Sequence, residues 1–199
     1  MLIDGKPLKG RVIFAHGAGA PMDSDFMEAV TAKLVDIGLE VIRFEFPYMQ
    51  KRREDGKKRP PDRAPKLLDS FKAVISQFKD DVPLFLAGKS MGGRMASMLV
   101  ESEGIDAGFV FGYPFHPPGK PDTLRVEHLL TLQAPLHIFQ GTRDALGNFE
   151  EVRGYNLSEN VEMHWMEDGN HDLKPRKSSG FSQEDHLNRA VQAIGEWIS

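Results

Sequence analysis

The sequence predicts an α/β domain: a mostly parallel, six-stranded sheet with helices on both faces. Three observations carry this expectation. Short apolar runs of strand length alternate with stretches of helical period along the whole chain. The 199 residues are enough for one domain that buries roughly 70% of its unfolded surface, and no repeat or linker divides residues 1–199. Apolar residues make up 40% and charged residues 27%, the balance of an ordinary globular chain.

Arg11–Ala15 reads as the first strand. Ser24–Ile37 reads as a helix, because Phe26, Val30, Leu34 and Ile37 fall on one face and Gly38 stops it. Leu39–Phe46 is the second strand. Pro65–Phe78 is helical, with Leu68, Phe71, Val74, Ile75 and Phe78 at helical spacing. Val82–Ala87 is a strand and Met91–Glu101 the helix behind it. Ala107–Gly112 and Leu136–Gln140 are strands, Asn148–Leu157 a short helix, Val161–Met166 the last strand and Gln183–Ile198 a terminal amphipathic helix. Right-handed crossovers follow from this order. Active sites of such sheets lie at the carboxyl ends of the strands.

Two segments break the alternation. Residues 50–64 hold seven Lys/Arg against three Asp/Glu. This +4 sits on a chain of net charge −4, so the remainder carries −8. Residues 113–122 are rich in proline and glycine. Both segments read as irregular, and both follow a strand, which places them on the active rim.

A net charge of −4 argues against bulk nucleic-acid binding. The absence of cysteine excludes disulfides, thiolate catalysis and cysteine-held metals. Met1–Gly10 has no apolar run of signal-peptide length, and no stretch approaches eighteen apolar residues. A cytoplasmic protein without membrane partners is expected. His116, His128, His137, His164 and His186 show no H-x-x-x-H spacing, so neither a metal nor a cofactor is expected.

The chemistry is concentrated in Leu84-Phe85-Leu86-Ala87-Gly88-Lys89-Ser90-Met91-Gly92-Gly93. An apolar strand runs into Gly-x-Ser-x-Gly and a helix-forming stretch follows, the pattern of a nucleophile elbow. A serine on such a sharp turn exposes its hydroxyl above the sheet, and glycines two residues either side avoid collision. Gly88-Lys89-Ser90 is not the end of a phosphate-binding loop. That loop requires a glycine where Pro83 stands and a flexible run where Leu-Phe-Leu-Ala stands.

An elbow serine needs a base and an acid, in the chain order serine, acid, histidine. Asp144 lies just past the Leu136–Gln140 strand and His171 just past Val161–Met166. The expected triad is therefore Ser90, Asp144 and His171, with Asp168 and Asp172 as rival acids. An aspartate after a strand can equally be a turn cap, and a loop histidine can be merely solvated; order and placement select these two. Two backbone N–H groups complete the set as an oxyanion hole: Met91, after the nucleophile, and Ala18 in His16-Gly17-Ala18-Gly19, with Gly17 as the alternative. His16 is expected to brace that loop. Met91, Met95 and Met98 read as core packing and Pro60-Pro61 as a loop stiffener. The basic segment has two readings, a solvated loop or a field that attracts an anionic acyl substrate, with Arg52, Arg53 and Arg59 as its binding groups.

Together these residues resemble the α/β-hydrolase superfamily over Arg11–Ser199, in a minimal form without a lid domain. Within it, the chain is similar to the small Tex30/KANL3-like and dienelactone-hydrolase-like branch. Ala15-His16-Gly17-Ala18-Gly19, Phe46-Pro47-Tyr48-Met49, Arg59-Pro60-Pro61-Asp62-Arg63 and Gly88-Lys89-Ser90-Met91-Gly92-Gly93-Arg94 carry that similarity. Dienelactone hydrolases use a cysteine where this chain has Ser90, so their reaction does not carry over. The triad and both oxyanion loops support a hydrolase of small esters or thioesters acting through an acyl-enzyme, with a peptidase as a third option, and the resemblance carries over no settled substrate. It implies an alternative from another class: an idle scaffold of the same fold that binds a protein partner.

Overall fold

The computed structural model describes residues 1–199. Seven strands form one sheet in the order β1-β3-β2-β4-β5-β6-β7. They are β1 Leu2–Asp4, β2 Gly10–Ala15, β3 Leu39–Phe44, β4 Leu84–Lys89, β5 Ala107–Phe111, β6 Leu136–Gly141 and β7 Val161–Met166. All neighbours from β3 to β7 run parallel, and only β1 is antiparallel, against β3. The helices are α1 Asp25–Asp36, α2 Pro47–Asp55, α3 Ala64–Ile75, α4 Met91–Leu99, α5 Phe149–Val152 and α6 Gln183–Trp197.

The alternation of side chains along β2 shows why both faces must be covered. Val12 and Phe14 enter a core with Val30 and Leu34 of α1 and Leu187 and Ile194 of α6. Ile13 and Ala15 enter the opposite core, with Phe71 of α3 and Met95 and Leu99 of α4. A strand buried on both faces is a near-continuous apolar run, which is why the central strands were legible. Each fully buried Phe or Leu side chain contributes roughly 1.5–3 kcal/mol.

Three expectations are corrected. The sheet has a seventh strand, β1, which is only three residues long and lies exposed at the edge, so it leaves no periodic signal. The first part of the basic segment is helical: Pro47 opens α2 and Gly56 closes it in the left-handed region at φ 70°. Its residues are almost all polar, so periodicity could not reveal it. The helix expected over Asn148–Leu157 is a single turn, with Asn148 and Glu151 capping each other at its start.

Candidate active site

Ser90 separates β4 from α4 and has φ 52° and ψ −115°, a backbone conformation that a residue with a side chain adopts only at a cost of about 1–3 kcal/mol. Two glycines make the turn possible. A Cβ on Gly88 would lie 2.2 Å from the carbonyl carbon of Gly92, and one on Gly92 would lie 2.5 Å from the carbonyl oxygens of Ala15 and His16. The backbone is thus packed against backbone on both sides of the serine. Ser90 N–H donates to the Phe111 carbonyl at 3.0 Å, which ties the elbow to β5.

His171, from the loop after β7, places Nε2 2.7 Å from Ser90 Oγ. Its Nδ1 lies 2.8 Å from Asp144 Oδ2. Asp144 is fully buried and sits just past β6. Its Oδ1 accepts from the Leu146 N–H at 2.8 Å, and Oδ2 also accepts from Gln140 Nε2 at 2.9 Å. The three residues expected from chain order therefore form one continuous chain of polar contacts. The rival acids lie elsewhere. Asp172 pairs with Lys89 at 3.2 Å. Asp168 is held by Arg143 at 2.7 Å and by Arg176, and the Arg176 hydrogen bonds pull its carboxyl down to about 2.

Sequence reasoning missed two positioning groups. Gln140 is fully buried; its Oε1 accepts from the Tyr113 N–H at 2.7 Å while its Nε2 reaches Asp144, Gly147 and Tyr113 oxygens. A glutamine near the end of the apolar-rich strand Leu-His-Ile-Phe-Gln-Gly was the available signal, since a buried amide needs partners. Lys89, the residue before Ser90, is also buried. Its ammonium donates to the His171 carbonyl at 2.8 Å and lies 5.4 Å from the Phe26 ring centroid. Burial lowers its pKa, against the opposing pull of Asp172 and Asp144.

The expected oxyanion loop lies opposite. His16 is fully buried. Its Nε2 accepts from the Phe46 N–H at 3.1 Å, which leaves Nδ1–H to donate to the Gly17 carbonyl at 2.7 Å. Burial lowers its pKa, so it stays neutral. Tyr48 OH donates to the Ala18 carbonyl at 2.9 Å. The loop is thus fixed from behind, and the Ala18 N–H makes no hydrogen bond within the protein. Met91 is the first residue of α4, so its N–H is among those a helix leaves free. A cleft of about 340 Å³ is lined by Gly17, Ala18, Phe26, Lys89, Ser90 and His171, among others.

The basic residues divide. A groove of about 570 Å³, lined by Ala18, Gly19, Arg52, Lys58, Arg59 and Pro60, shares its Ala18–Gly19 wall with the Ser90 cleft. Arg53 does not line it: its guanidinium is held by Glu45 and by Asp23 at 2.7 Å. Arg59 lines it but pairs with Asp55 at 2.7 Å. No helix is long and apolar enough to cross a membrane.

Solved structures share this architecture. A serine hydrolase homologue from Coxiella burnetii superposes with a TM-score of 0.74 at 19% identity, over 100% of this chain and 90% of that one. An esterase from Pyrococcus furiosus gives 0.72 at 19% identity, over 96% and 83%. A serine hydrolase without a lid from Xanthomonas campestris gives 0.70 at 16% identity, over 98% and 84%. At such identities the likeness is one of fold. A comparison with curated proteins finds no match. The family described as an alpha/beta hydrolase domain matches residues 8–199, nearly the whole chain. On that match, the chain belongs to the alpha/beta hydrolase domain family.

Proposed function

We propose that this chain is a serine hydrolase that cleaves a small ester or thioester through an acyl-enzyme intermediate. One observation carries the reading: Ser90 Oγ, His171 Nε2 and Nδ1, and buried Asp144 Oδ2 are linked at 2.7 and 2.8 Å. His171 takes the Ser90 proton as Oγ attacks the acyl carbon. The Ala18 and Met91 N–H groups receive the oxygen that becomes negative, a contribution worth about 2.7–4 kcal/mol per donor in a known case. His171 then gives its proton to the leaving alcohol or thiol. A water activated in the same way hydrolyses the acyl-Ser90 ester. Asp144 holds the imidazole tautomer and stabilises its cation throughout.

The substrate class follows from the adjoining groove. Arg52 and Lys58 make no ion pair there, unlike Arg53 and Arg59. Two unpaired cations beside the oxyanion loop suit a carboxylate or phosphate remote from the scissile bond. The four strings from Ala15 to Arg94 support placing the chain in the Tex30/KANL3-like branch.

Labelling with a fluorophosphonate tests the reading, because only an activated serine reacts. The wild type should label and Ser90→Ala should not. A folded wild type that fails to label would overturn the hydrolase and favour an inert scaffold.

A further inference from the structure

Away from Ser90, β6 and β7 bring together three groups that metals bind. His137 and Glu162 are register partners across the two strands, and His164 follows Glu162 by two residues on the same face. One ligand atom from each lies within 4.8 Å of the others. His137 Nδ1 lies 3.0 Å from His164 Nε2. Glu162 straddles the pair, with one oxygen 3.4 Å from His137 and the other 3.5 Å from His164. Four-coordinate zinc with bonds of about 2.0–2.2 Å holds its ligand atoms about 3.3–3.5 Å apart. The trio already has nearly that spacing.

We infer that His137, Glu162 and His164 form a binding site for a divalent ion of the zinc type, with water in the fourth position. Two imidazoles and one carboxylate favour zinc and its transition-metal neighbours over magnesium or calcium, which prefer all-oxygen shells. Ring stacking fixes the orientation of the ligands. His164 stacks on Phe139 at 4.8 Å and 27°, His137 on His164 at 5.3 Å and 29°, and Trp197 meets His137 edge-on at 5.4 Å. His137 is the second residue of β6, and His164, the fourth of β7, lies in register with Phe139; both strands are separated from the Ser90 strand β4 by β5. A bound ion would tie edge strand β7 to β6 and brace Trp197, at the end of α6, through its contact with His137.

The sequence concealed the site because its ligands come from two strands, and Glu162-x-His164 has the period of a strand, not the H-x-x-x-H period of a helix. The expectation of no metal rested on that helical spacing alone.

The test is calorimetric titration of the full chain with Zn²⁺, paired with thermal unfolding. Titrations use the His171→Gln background, so that the His171 imidazole cannot be counted as a ligand. One Zn²⁺ per chain should bind and raise Tm, while Mg²⁺ and Ca²⁺ leave Tm unchanged. Glu162→Gln and His164→Gln should each weaken Zn²⁺ by more than about tenfold, the least that even an outer-shell partner costs. Glu162 is exposed, so its variant should fold and decides the matter if His164→Gln does not. No binding to the parent chain, or unchanged affinity in Glu162→Gln, overturns the site.

Discussion

Gln140 Nε2 donates to Asp144 Oδ2 at 2.9 Å, and neither side chain is reached by solvent. The acid that faces His171 is therefore aimed by an amide one helical turn's length earlier in sequence, at the end of β6. Gln140→Met keeps the bulk but removes both polar functions. It leaves the Tyr113 N–H and the Gly147 carbonyl without their partner. Each unsatisfied buried group costs about 1–3 kcal/mol, so the urea midpoint should drop clearly. A misaimed Asp144 should also lower kcat by up to about 100-fold. A variant with wild-type kcat on a chromogenic ester would show that Gln140 only fills space.

Asp144→Asn and Asp172→Asn separate the two acids nearest His171. Asparagine at 144 can hold the imidazole in the wrong tautomer, a change that costs about 10⁴ in kcat in the known triad case. Asp172 instead pairs with Lys89 and is mostly exposed, so its variant should stay within about tenfold of wild type. Steady-state hydrolysis of short p-nitrophenyl esters measures both. The reverse ranking would make Asp172 the triad acid.

These contrasts show which parts of the molecule were legible beforehand. The central strands could be read because burial on both faces makes them continuous apolar runs. The elbow could be read because steric crowding at Gly88 and Gly92 admits only glycine, so the motif records a geometric necessity. Asp144 and His171 were findable from chain order. Edge strand β1 and polar helix α2 were not, because neither has an apolar face long enough to repeat. Arg53 was grouped with Arg52 by sequence proximity, yet Glu45 and Asp23 neutralise it. Neither partner belongs to the basic segment, and only the folded chain brings them near.

Lys89 holds the loop that carries His171 by its backbone, at the His171 carbonyl. Lys89→Met should retain the packing of the aliphatic stem while freeing that loop. The expected result is a kcat loss on the order of tenfold or more with little change in KM, since a displaced base slows chemistry without altering the cleft. The α4 and β4 packing should persist, so the circular dichroism spectrum should match wild type. A rise in KM at constant kcat would assign Lys89 to substrate binding instead.

The Asp168 clamp predicts an acid limit. Its folded carboxyl titrates at about 2, against an ordinary value of 3.8, because Arg176 and Arg143 favour the charged form. A lowered carboxylate pKa stabilises the fold above the unfolded value and loses that contribution as pH falls. Stability should thus fall between about pH 4 and pH 2 more steeply in wild type than in Asp168→Asn. Asparagine tolerates the φ of 55° found there, so the comparison isolates charge. Urea midpoints at pH 6 and pH 3 measure it, and parallel curves for both proteins would show that the clamp is not electrostatic.

The last prediction concerns Arg52 and Lys58, the unpaired cations of the groove beside Ala18 and Gly19. Arg53 and Arg59 serve as internal controls, since carboxylates already engage them. A substrate anion in the groove would meet two charges within a focused field, and attraction of this kind weakens as salt shortens the Debye length from about 10 Å at 0.1 M to 3 Å at 1 M. Arg52→Gln with Lys58→Gln should raise KM for esters that carry a remote carboxylate and remove the salt dependence of kcat/KM. Neutral esters should be hydrolysed as before. Arg53→Gln should instead lower Tm, because it strands Glu45, whose side chain is only 5% exposed, without a partner. If anionic and neutral esters responded alike to the double substitution, the groove would be a solvated surface, and the specificity of Ser90 would have to come from the cleft around Phe26 alone.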